Sequence, residues 1–423
     1  MMLGILLDAG HEIVEDENEA EVIVVNTCAF IKDAKMESIE TLIEMASHKK
    51  NAKCKYLIAA GCLAQRYKDE LLKEIPEVDA IIGNQGFDNI AKAIEDLEKK
   101  QEANYMPALE GMPVCGYRRV VTGPSHYAYL KIAEGCDKRC TYCIIPSIRG
   151  RYRSVPMETL LKEAEDLAGR GVVELILIAQ ETTLYGLDLY GKKTLPELLV
   201  KLAAIEGIKK IRLQYCYPEE ITDELIDVMA KESKICHYID MPLQSCSDNV
   251  LIKMGRKARE AEIRETVNKL RTRIPDICIR TTLISGFPGE RRKDQLTTLK
   301  CVKDIRFDRL GVFTYSPEEG TPAVDFKRKV PEFIKTFRKN EIMKAQQKIA
   351  FAKARDMIGE KLDAIIEGRL VEDGVYVGRT YRDAPDVDGY VFIESERDLL
   401  SGDIINIEVT GAKGYDLVAK ETI

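Results

Sequence analysis

The stretch KIAEGCDKRCTYCIIPS, residues 131–147, decides the architecture of this chain. Its cysteines Cys136, Cys140 and Cys143 are spaced C-x3-C-x2-C, so one short loop can wrap one cofactor, and thiolates bind iron well. A cubane of four irons normally takes four thiolates, and three leave one iron open. An open iron can chelate the amino and carboxylate groups of S-adenosylmethionine (SAM) and pass an electron to its sulfonium. Tyr142 is positioned to pack beside the adenine.

The alternative is a structural zinc site, or three buried thiols without a ligand. Zinc motifs mostly contain C-x2-C pairs that are matched by a second pair or by histidines. No second pair follows here, and none of the four histidines lies at ligand spacing. The spacing and the Tyr-Cys ending therefore favour an iron–sulfur cluster, and this motif resembles the signature of radical SAM enzymes.

Length and composition describe a soluble globular protein. At ~150 residues per domain, 423 residues predict about three domains. No apolar run reaches the ~18 residues that a membrane span needs, and no secretion signal opens the chain. We therefore expect a cytoplasmic protein without a membrane partner. Twelve cysteines are many for a reducing compartment. Those without a neighbour at ligand spacing are interpreted as buried or idle thiols: Cys54, Cys115, Cys216, Cys236, Cys246, Cys278 and Cys301.

Residues 1–105 predict a small α/β domain. The segments typical of buried parallel strands are Val22–Val25, Lys55–Ala60 and Ala80–Gly83. Cys28 and Cys62 come just past the first two, at equivalent strand ends, where α/β proteins bind their ligands. Taken alone, such cysteines are more often inert than ligands. The chain begins in a helix, whereas a domain of this kind should begin with a strand. We therefore expect that an opening strand, with any ligand at its end, is missing.

Residues 122–355 follow a connector rich in Pro and Gly and predict repeated βα units. The predicted strands are 175–178, 211–213, 238–239, 277–279 and 310–313. This alternation indicates a parallel sheet, closed or partly closed, with its site at the carboxyl ends of the strands. The residues at those ends that outline a SAM pocket are Gln180, Gln244, Gly286, Pro288 and Glu290. Each of these residues alone is weak evidence for a SAM pocket, because turns at strand ends are often polar for structural reasons.

Residues 357–423 predict a small β-barrel of oligonucleotide-binding type, from short strands separated by Gly-rich turns. Residues 359–423 contain seven Lys and Arg against fifteen Asp and Glu. This charge would repel a tRNA backbone and attract a basic protein, although a merely solvated surface is the simpler alternative. Asp383, Asp386 and Asp388 form its most acidic turn.

The three-part layout resembles the methylthiotransferase family, which joins an N-terminal iron–sulfur domain, a radical SAM domain and a C-terminal TRAM barrel. Its branches modify the adenosine beside the tRNA anticodon or an aspartate of the twelfth small-subunit ribosomal protein. The stretches similar to the ribosomal branch are residues 26–30, 144–150, 216–219, 313–321 and 384–389. The tRNA branches usually carry Pro-Tyr after the cluster motif, and Pro146-Ser147 stands here.

The resemblance implies a radical SAM enzyme that adds a methylthio group to the β-carbon of that aspartate. Cys136, Cys140 and Cys143 would hold one [4Fe-4S] cluster, and Cys28 and Cys62 would hold a second. The implied partners are the ribosomal protein or the ribosome, an electron donor such as flavodoxin or ferredoxin, and a sulfur donor of unknown identity. Contact with nucleic acid is expected only through the ribosome. The alternatives are a tRNA methylthiotransferase and a non-catalytic iron–sulfur protein that binds ribosomes.

The sequence departs from the family pattern in three places. The loop that carries the family's first auxiliary-cluster cysteine is absent, which leaves two thiolates for the second cluster and places that cluster in question. Ser245 stands where the family usually has His. Residues 291–293, Arg-Arg-Lys, replace an acidic helix start. Cations at a helix N-terminus oppose its dipole, so we expect this change to alter local stability more than chemistry.

Overall fold

The computed structural model describes residues 1–370 and 374–422. Its α-helices are α1 (Met2–Asp8), α2 (Lys32–Asn51), α3 (Cys62–Glu74), α4 (Ile90–Glu98), α5 (Ile145–Arg149), α6 (Met157–Gly169), α7 (Leu187–Tyr190), α8 (Leu195–Ala203), α9 (Asp223–Lys231), α10 (Asp248–Lys253), α11 (Glu260–Arg273), α12 (Arg292–Ile305) and α13 (Glu332–Asp356). Its strands are β1 (Val22–Thr27), β2 (Tyr56–Gly61), β3 (Ala80–Ile82), β4 (Tyr127–Lys131), β5 (Ala133–Glu134), β6 (Arg153–Ser154), β7 (Glu174–Ile178), β8 (Lys210–Leu213), β9 (Ile235–Asp240), β10 (Cys278–Ser285), β11 (Arg309–Thr314), β12 (Lys361–Leu370), β13 (Val375–Thr380), β14 (Val391–Glu394), β15 (Ile404–Lys413) and β16 (Asp416–Glu421).

The chain forms two compact units. The first unit contains Met1–Thr122, Glu134–Val155 and Ser316–Val324. The second unit contains Gly123–Ala133, Pro156–Tyr315 and Asp325–Ile423. The cysteine loop thus packs with the N-terminal segment. No helix among the described residues combines the length and the apolar character that crossing a membrane requires.

The first unit is built on a parallel sheet of order β1-β2-β3. Alternate strand residues point to opposite faces, so Leu57 and Ile81 pack under α2 and α3, whereas Ile58 and Ile82 pack under α1 and α4. Both faces are covered, which explains why these strands are continuous apolar runs. The three strands predicted for residues 1–105 are confirmed within two residues at each end.

The second unit contains a six-stranded parallel sheet of order β11-β10-β9-β8-β7-β4. Five of these strands are the predicted ones, and the sheet is open, as a partial barrel is. The first strand, Tyr127–Lys131, was missed because it follows the connector rich in Pro and Gly. With it counted, β10 is the fifth strand of the sheet, and residues 286–290 follow that fifth strand.

The C-terminal part of the second unit is a closed five-stranded barrel of order β12-β13-β14-β16-β15. Its interior is apolar and includes Ile366, Val391, Ile393 and Ile407. The predicted small β-barrel is therefore confirmed. Two of its acidic residues, Glu372 and Asp373, lie outside the described residues.

The turn predicted to be most acidic does not offer three free carboxylates. Asp383 is buried and accepts hydrogen bonds from Arg309 of β11 and from the Thr380 hydroxyl. The side chain of Asp388 is 3% exposed, and it accepts a 2.8 Å hydrogen bond from the Tyr238 hydroxyl. Only Asp386 is exposed. The expectation that this turn presents its charge to a basic partner is corrected for Asp383 and Asp388, because cations of the sheet neutralise them.

A buried ionic network also joins the barrel to the sheet. Glu174 of β7 accepts hydrogen bonds of 2.8 Å from Arg212 of β8 and of 2.8 Å from Arg379 of β13. All three residues are buried, and Arg379 also pairs with Glu367 of β12. Charges so fully removed from water are tolerated only when they are paired. The network therefore fixes how the barrel packs on the sheet.

Candidate active site

The cysteine loop is a compact turn in the first unit. The Cys143 amide donates a 3.0 Å hydrogen bond to the Cys140 carbonyl, and the Cys136 amide donates to the Gly150 carbonyl at 3.2 Å. Gly135 has φ +78°, and a Cβ added there would lie 2.0 Å from the Arg151 carbonyl oxygen. Only glycine therefore allows the chain to enter the loop so close to the returning backbone.

The thiols of this loop suit an iron–sulfur cluster in burial and in hydrogen bonding. Cys136 and Cys140 are buried, and Cys143 is partly buried. The Lys138 amide lies 3.5 Å from the Cys136 sulfur and donates to it, as amides do to cluster sulfurs. Among the described residues, no three His, Cys, Asp or Glu side chains lie close enough together to hold a single metal ion. A four-iron cluster does not require such grouping, because each thiolate binds a different iron.

Cys28 and Cys62 follow paired positions of adjacent strands in the same unit. Thr27 of β1 is in register with Gly61 of β2, so the two cysteines are the next residues at one edge of the sheet. Cys28 is exposed, and its amide donates a 2.9 Å hydrogen bond to the Ser38 hydroxyl. Cys62 is buried and is the first residue of α3, where the helix dipole favours a thiolate.

A buried arginine contacts the Cys62 sulfur. The Arg149 guanidinium donates to this sulfur at 3.1 Å and pairs with the buried Glu134 at 3.2 Å. Burial lowers the pKa of Arg149, but Glu134 and Cys62 together more than offset this, so its pKa lies above the ordinary value. Arg149 ends α5, which directly follows the cysteine loop, and Asn84 donates to the Ile148 carbonyl at 3.0 Å. The loop of three cysteines is thereby fastened to Cys62.

A second ionic group holds the backbone beside Cys28. Glu318 is buried and accepts hydrogen bonds from Lys35 at 2.7 Å and from Arg66 at 2.6 Å. Arg66 also donates to the carbonyl of Ala29 at 3.2 Å. Sequence reasoning missed Arg149, Glu134 and Arg66, because each is charged and its partner is distant in the chain. For Arg149 the available signal was its place in residues 144–150, a stretch that resembles the ribosomal branch, and no such signal marked Glu134 or Arg66.

The predicted SAM-pocket residues of the second unit follow three strands of one parallel sheet, at its carboxyl edge. Gln180 follows β7 and is half-buried. Gln244 follows β9 with φ +69°, and its backbone bonds to β10 through Thr282 and Ile284 at 2.8 Å each. Its side-chain Oε1 is buried without a hydrogen-bond partner among the residues that the structure describes. A buried acceptor of this kind is costly unless a ligand satisfies it.

The loop after β10 forms a tight turn. Gly286 has φ +76°, and its amide donates a 3.0 Å hydrogen bond to the Glu290 carboxylate. The other Glu290 oxygen pairs with Arg338 at 2.7 Å. Burial raises the pKa of Glu290 above its usual value despite Arg338. Pro288 is buried in the same turn. Both oxygens of Glu290 thus hold the loop itself.

Two of the three departures from the family pattern, Ser245 and residues 291–293, are accommodated by local contacts. Ser245 is buried, and its hydroxyl accepts a 3.2 Å hydrogen bond from the Ser247 amide. The start of α12 keeps an acidic cap, because Asp294 accepts a 2.8 Å hydrogen bond from the Arg291 amide. Arg292 pairs with Glu341 of α13. These contacts compensate for the opposed dipole.

The cysteines interpreted as idle are mostly buried. Those below the surface are Cys54, Cys216, Cys236, Cys246, Cys278 and Cys301, and Cys115 is partly buried. Burial raises the pKa of Cys278 to about 12, so this thiol is neutral at physiological pH. A neutral thiol is a poor ligand and a poor nucleophile.

Comparison with family models assigns all three parts of the chain. Residues 130–302 match the Radical SAM superfamily, which decides against the structural zinc site. Residues 1–83 match the Uncharacterized protein family UPF0004, and residues 358–421 match the TRAM domain.

Curated relatives match nearly the whole chain. The ribosomal protein uS12 methylthiotransferase RimO of Lachnoclostridium phytofermentans is 54% identical over 418 residues, which cover 99% of this chain and 95% of the relative. The RimO of Acetivibrio thermocellus is 49% identical, with 99% and 94% covered. The RimO of Clostridioides difficile is 46% identical, with 99% and 94% covered.

Among solved structures, the fold is similar to the radical S-adenosylmethionine methyltransferase TsrM from Kitasatospora setae, solved with cobalamin and a [4Fe-4S] cluster. The TM-score is 0.60 at 14% identity, over 76% of this chain and 73% of that one. A second TsrM structure, with tryptophan and a SAM analogue, gives 0.56 at 13% identity over 76% and 66%. This likeness concerns the fold alone. By its relatives and its three matched domains, the chain belongs to the RimO family of radical SAM methylthiotransferases.

Proposed function

We propose that this protein adds a methylthio group to the β-carbon of an aspartate in ribosomal protein uS12. The observation that carries the proposal is the identity of 54% with a uS12 methylthiotransferase over nearly the full length of both chains. The target carbon has no acidic proton, so acid–base catalysis is ineffective and the chemistry belongs to a cofactor. When bound, the cluster and SAM supply a radical that abstracts hydrogen, and SAM also supplies the methyl group. The relatives reported above are uS12 methylthiotransferases, which favours this substrate over the tRNA and non-catalytic alternatives.

In this proposal Cys136, Cys140 and Cys143 hold the radical SAM cluster. The burial of two of these thiols restricts the access of water and oxygen to their sulfur atoms. Tyr142, between the second and third cysteines, packs beside the adenine. The returning backbone at Gly150 fixes the direction from which the loop presents its sulfurs.

The residues at the carboxyl edge of the second unit's sheet bind SAM. Gln244 offers its buried Oε1 as an acceptor for a hydrogen-bond donor on SAM. Gln180 lies two strands away from Gln244 in the same sheet. Gly286 and Pro288 shape the turn of this loop, and the packing of Lys335 leaves no space for a side chain at residue 286. Glu290 acts by holding this loop, since both of its oxygens are engaged within the protein.

We further propose that Cys28 and Cys62 are ligands of a second [4Fe-4S] cluster. Their equivalent positions, directly after the paired residues Thr27 and Gly61, support this assignment. The chain supplies these two thiolates, and a third ligand from it is not identified among the described residues. Arg149 positions Cys62 and donates to its sulfur, which stabilises the more negative, reduced form of a cluster.

Replacing Arg149 with glutamine is expected to lower the reduction potential of the second cluster. The amide cannot supply a charged donor to the Cys62 sulfur, and the substitution removes the ion pair between Arg149 and Glu134. The measurement is a redox titration followed by electron paramagnetic resonance, in a variant whose three loop cysteines are alanine, so that only the second cluster contributes. Arg151→Gln is the control, because Arg151 is 83% exposed. An unchanged potential in Arg149→Gln would show that Arg149 has no electronic role.

The proposed activity is tested with purified protein, SAM, a chemical reductant, sulfide and a uS12 peptide that contains the target aspartate. We expect the peptide to gain the mass of one methylthio group, and fragmentation to place it on the aspartate. A peptide with alanine at that position should gain none. Methylthiolation of a tRNA anticodon stem-loop in the same assay, with no change in the peptide, would contradict the proposal.

The remaining assignments follow from this activity. We propose that the enzyme acts in the cytoplasm, where ribosomes are, and meets RNA only as part of the ribosome. A one-electron donor such as flavodoxin or ferredoxin and a sulfur donor are required. We keep residues 1–105, 122–355 and 357–423 as proposed domains, because the three family matches fall within them.

A further inference from the structure

Two short basic segments of the second unit lie side by side. They are Arg291-Arg292-Lys293, at the start of α12, and Lys327-Arg328-Lys329, before α13, and all six residues are exposed. The Gly289 amide donates a 2.9 Å hydrogen bond to the Arg328 carbonyl, which joins the two segments. We call these six residues the basic face.

The charge of the basic face is largely uncompensated. Arg292 pairs with Glu341, and among the residues that the structure describes none of Lys293, Lys327 and Lys329 forms an ion pair. The whole chain carries a net charge of −7, so the positive charge of this face is opposite in sign to that of the protein as a whole. A concentration of one sign attracts partners of the other and speeds their association.

Two exposed aromatic residues border the basic face. Phe333 and Phe337 are one turn apart on α13 and are 73% and 58% exposed. The Arg292 guanidinium lies 5.9 Å from the Phe337 ring centroid, so the aromatic pair and the cations form one surface. Aromatic anchors beside a charged rim are typical of protein–protein interfaces, whereas binding to a phosphate backbone depends chiefly on cations. Single-stranded RNA also stacks its bases on aromatic rings beside cations, so the choice of a protein partner rests on the electron that the proposed reaction requires.

The position of the basic face in the chain indicates which kind of acidic protein would bind there. Arg291 follows directly on residues 286–290, the loop that we assign to SAM. The proposed reaction needs an electron delivered to the centre that binds SAM. A carrier seated on the basic face would lie beside the loop at which the proposed function places SAM.

We propose that the basic face, with Phe333 and Phe337, is the docking surface for an acidic one-electron carrier protein. This inference rests on the proposed function and adds the site of its electron donor. The reduced carrier loses one electron, the enzyme's SAM-binding centre gains it, and no atom is exchanged between the two proteins.

The test compares two triple variants with equal changes in charge. Lys293→Glu/Lys327→Glu/Lys329→Glu reverses the basic face without altering Arg291, Arg292 or Arg328, whose backbone or side chains hold local structure. Lys162→Glu/Lys209→Glu/Lys231→Glu is the control, because these lysines are exposed and lie elsewhere in the second unit. A further variant, Phe333→Ala/Phe337→Ala, tests the aromatic pair. The probe is flavodoxin.

Binding of flavodoxin is measured by titration calorimetry as a function of salt, and 5′-deoxyadenosine is measured with either reduced flavodoxin or dithionite. We expect the face variant to bind at least about tenfold more weakly at low salt and to lose a similar factor in flavodoxin-driven cleavage of SAM. Cleavage driven by dithionite should be unchanged, since a small reductant needs no docking. The aromatic variant should weaken binding without changing its salt dependence, and the control triple should match the wild type.

Equal losses in the face and control triples would overturn the proposal, because net charge alone would then explain them. Unchanged flavodoxin binding in the face variant, combined with lost binding to ribosomal RNA, would assign the face to RNA and also overturn it. A wild type that fails to cleave SAM even with dithionite would count against the proposed function, while the binding titrations would still decide the docking surface.

Discussion

Replacing Cys140 with alanine is expected to abolish the cleavage of SAM. Cys140 is the central thiol of the C-x3-C-x2-C loop, and its removal leaves a four-iron cluster with two of its three thiolate ligands. The loss should exceed the ~10–100-fold cost of removing an outer hydrogen-bond partner of a metal ligand. The measurement is 5′-deoxyadenosine by chromatography after incubation with dithionite and SAM. We expect a signal at the level of the blank without enzyme.

Cys115→Ala is the matched control for this experiment. Cys115 is a partly buried cysteine outside the cluster loop, so its removal should leave the formation of 5′-deoxyadenosine at the level of the wild type. Iron content should fall in the Cys140 variant and not in the control. If the Cys140 variant still formed 5′-deoxyadenosine, the assignment of the loop to the radical SAM cluster would be wrong.

Replacing Glu174 with glutamine is expected to destabilise the protein by about 3–5 kcal/mol. Glutamine has nearly the same shape, but it leaves Arg212 and Arg379 buried without the carboxylate that both of them contact at 2.8 Å. The measurement is unfolding in urea followed by circular dichroism. Glu165→Gln, at an exposed position of α6, should change stability by less than about 0.5 kcal/mol. Equal stability of the two variants would show that the network contributes nothing.

The same network predicts a dependence of stability on pH. Burial alone would raise the pKa of Glu174, but Arg212 and Arg379 outweigh it and hold this pKa below its usual value. The stabilisation is therefore fully present above the ordinary glutamate pKa of about 4.3, and it is lost as pH falls towards the lowered value. We expect the wild type to lose more stability than Glu174→Gln between pH 5 and the acid limit of folding. Parallel losses would contradict this.

The strands and the cysteine positions were predictable because their signals are local. Val22–Val25 is a continuous apolar run, and a covered parallel sheet produces such runs. Cys28 and Cys62 then follow at matched strand ends without any knowledge of long-range contacts. The strand Tyr127–Lys131 was not predicted, because Gly and Pro precede it and because only its pairing with β7 identifies it as a strand.

The charged residues could not be assigned from sequence alone. Asp383 and Asp388 were expected to form an acidic surface, but Arg309 and Tyr238 from the sheet take up their charge and hydrogen-bonding capacity. The role of Arg149 likewise depends on a distant contact, because folding brings this residue to Cys62, which is 87 residues away in the chain. The sequence shows the sign of a charged side chain but not its partner. The partner determines whether that side chain belongs to an exposed surface, to a buried ion pair or to a functional site.

The most direct test of the central claim is mass spectrometry of cells that lack the gene and are complemented with either the wild type or Cys140→Ala. Ribosomal proteins and tRNA nucleosides are analysed from the same cultures. We predict that the wild type restores a methylthio-aspartate on uS12, that Cys140→Ala does not, and that the tRNA nucleosides are identical in all three strains. A methylthio-adenosine that depends on this gene, with uS12 unchanged, would contradict the assigned substrate.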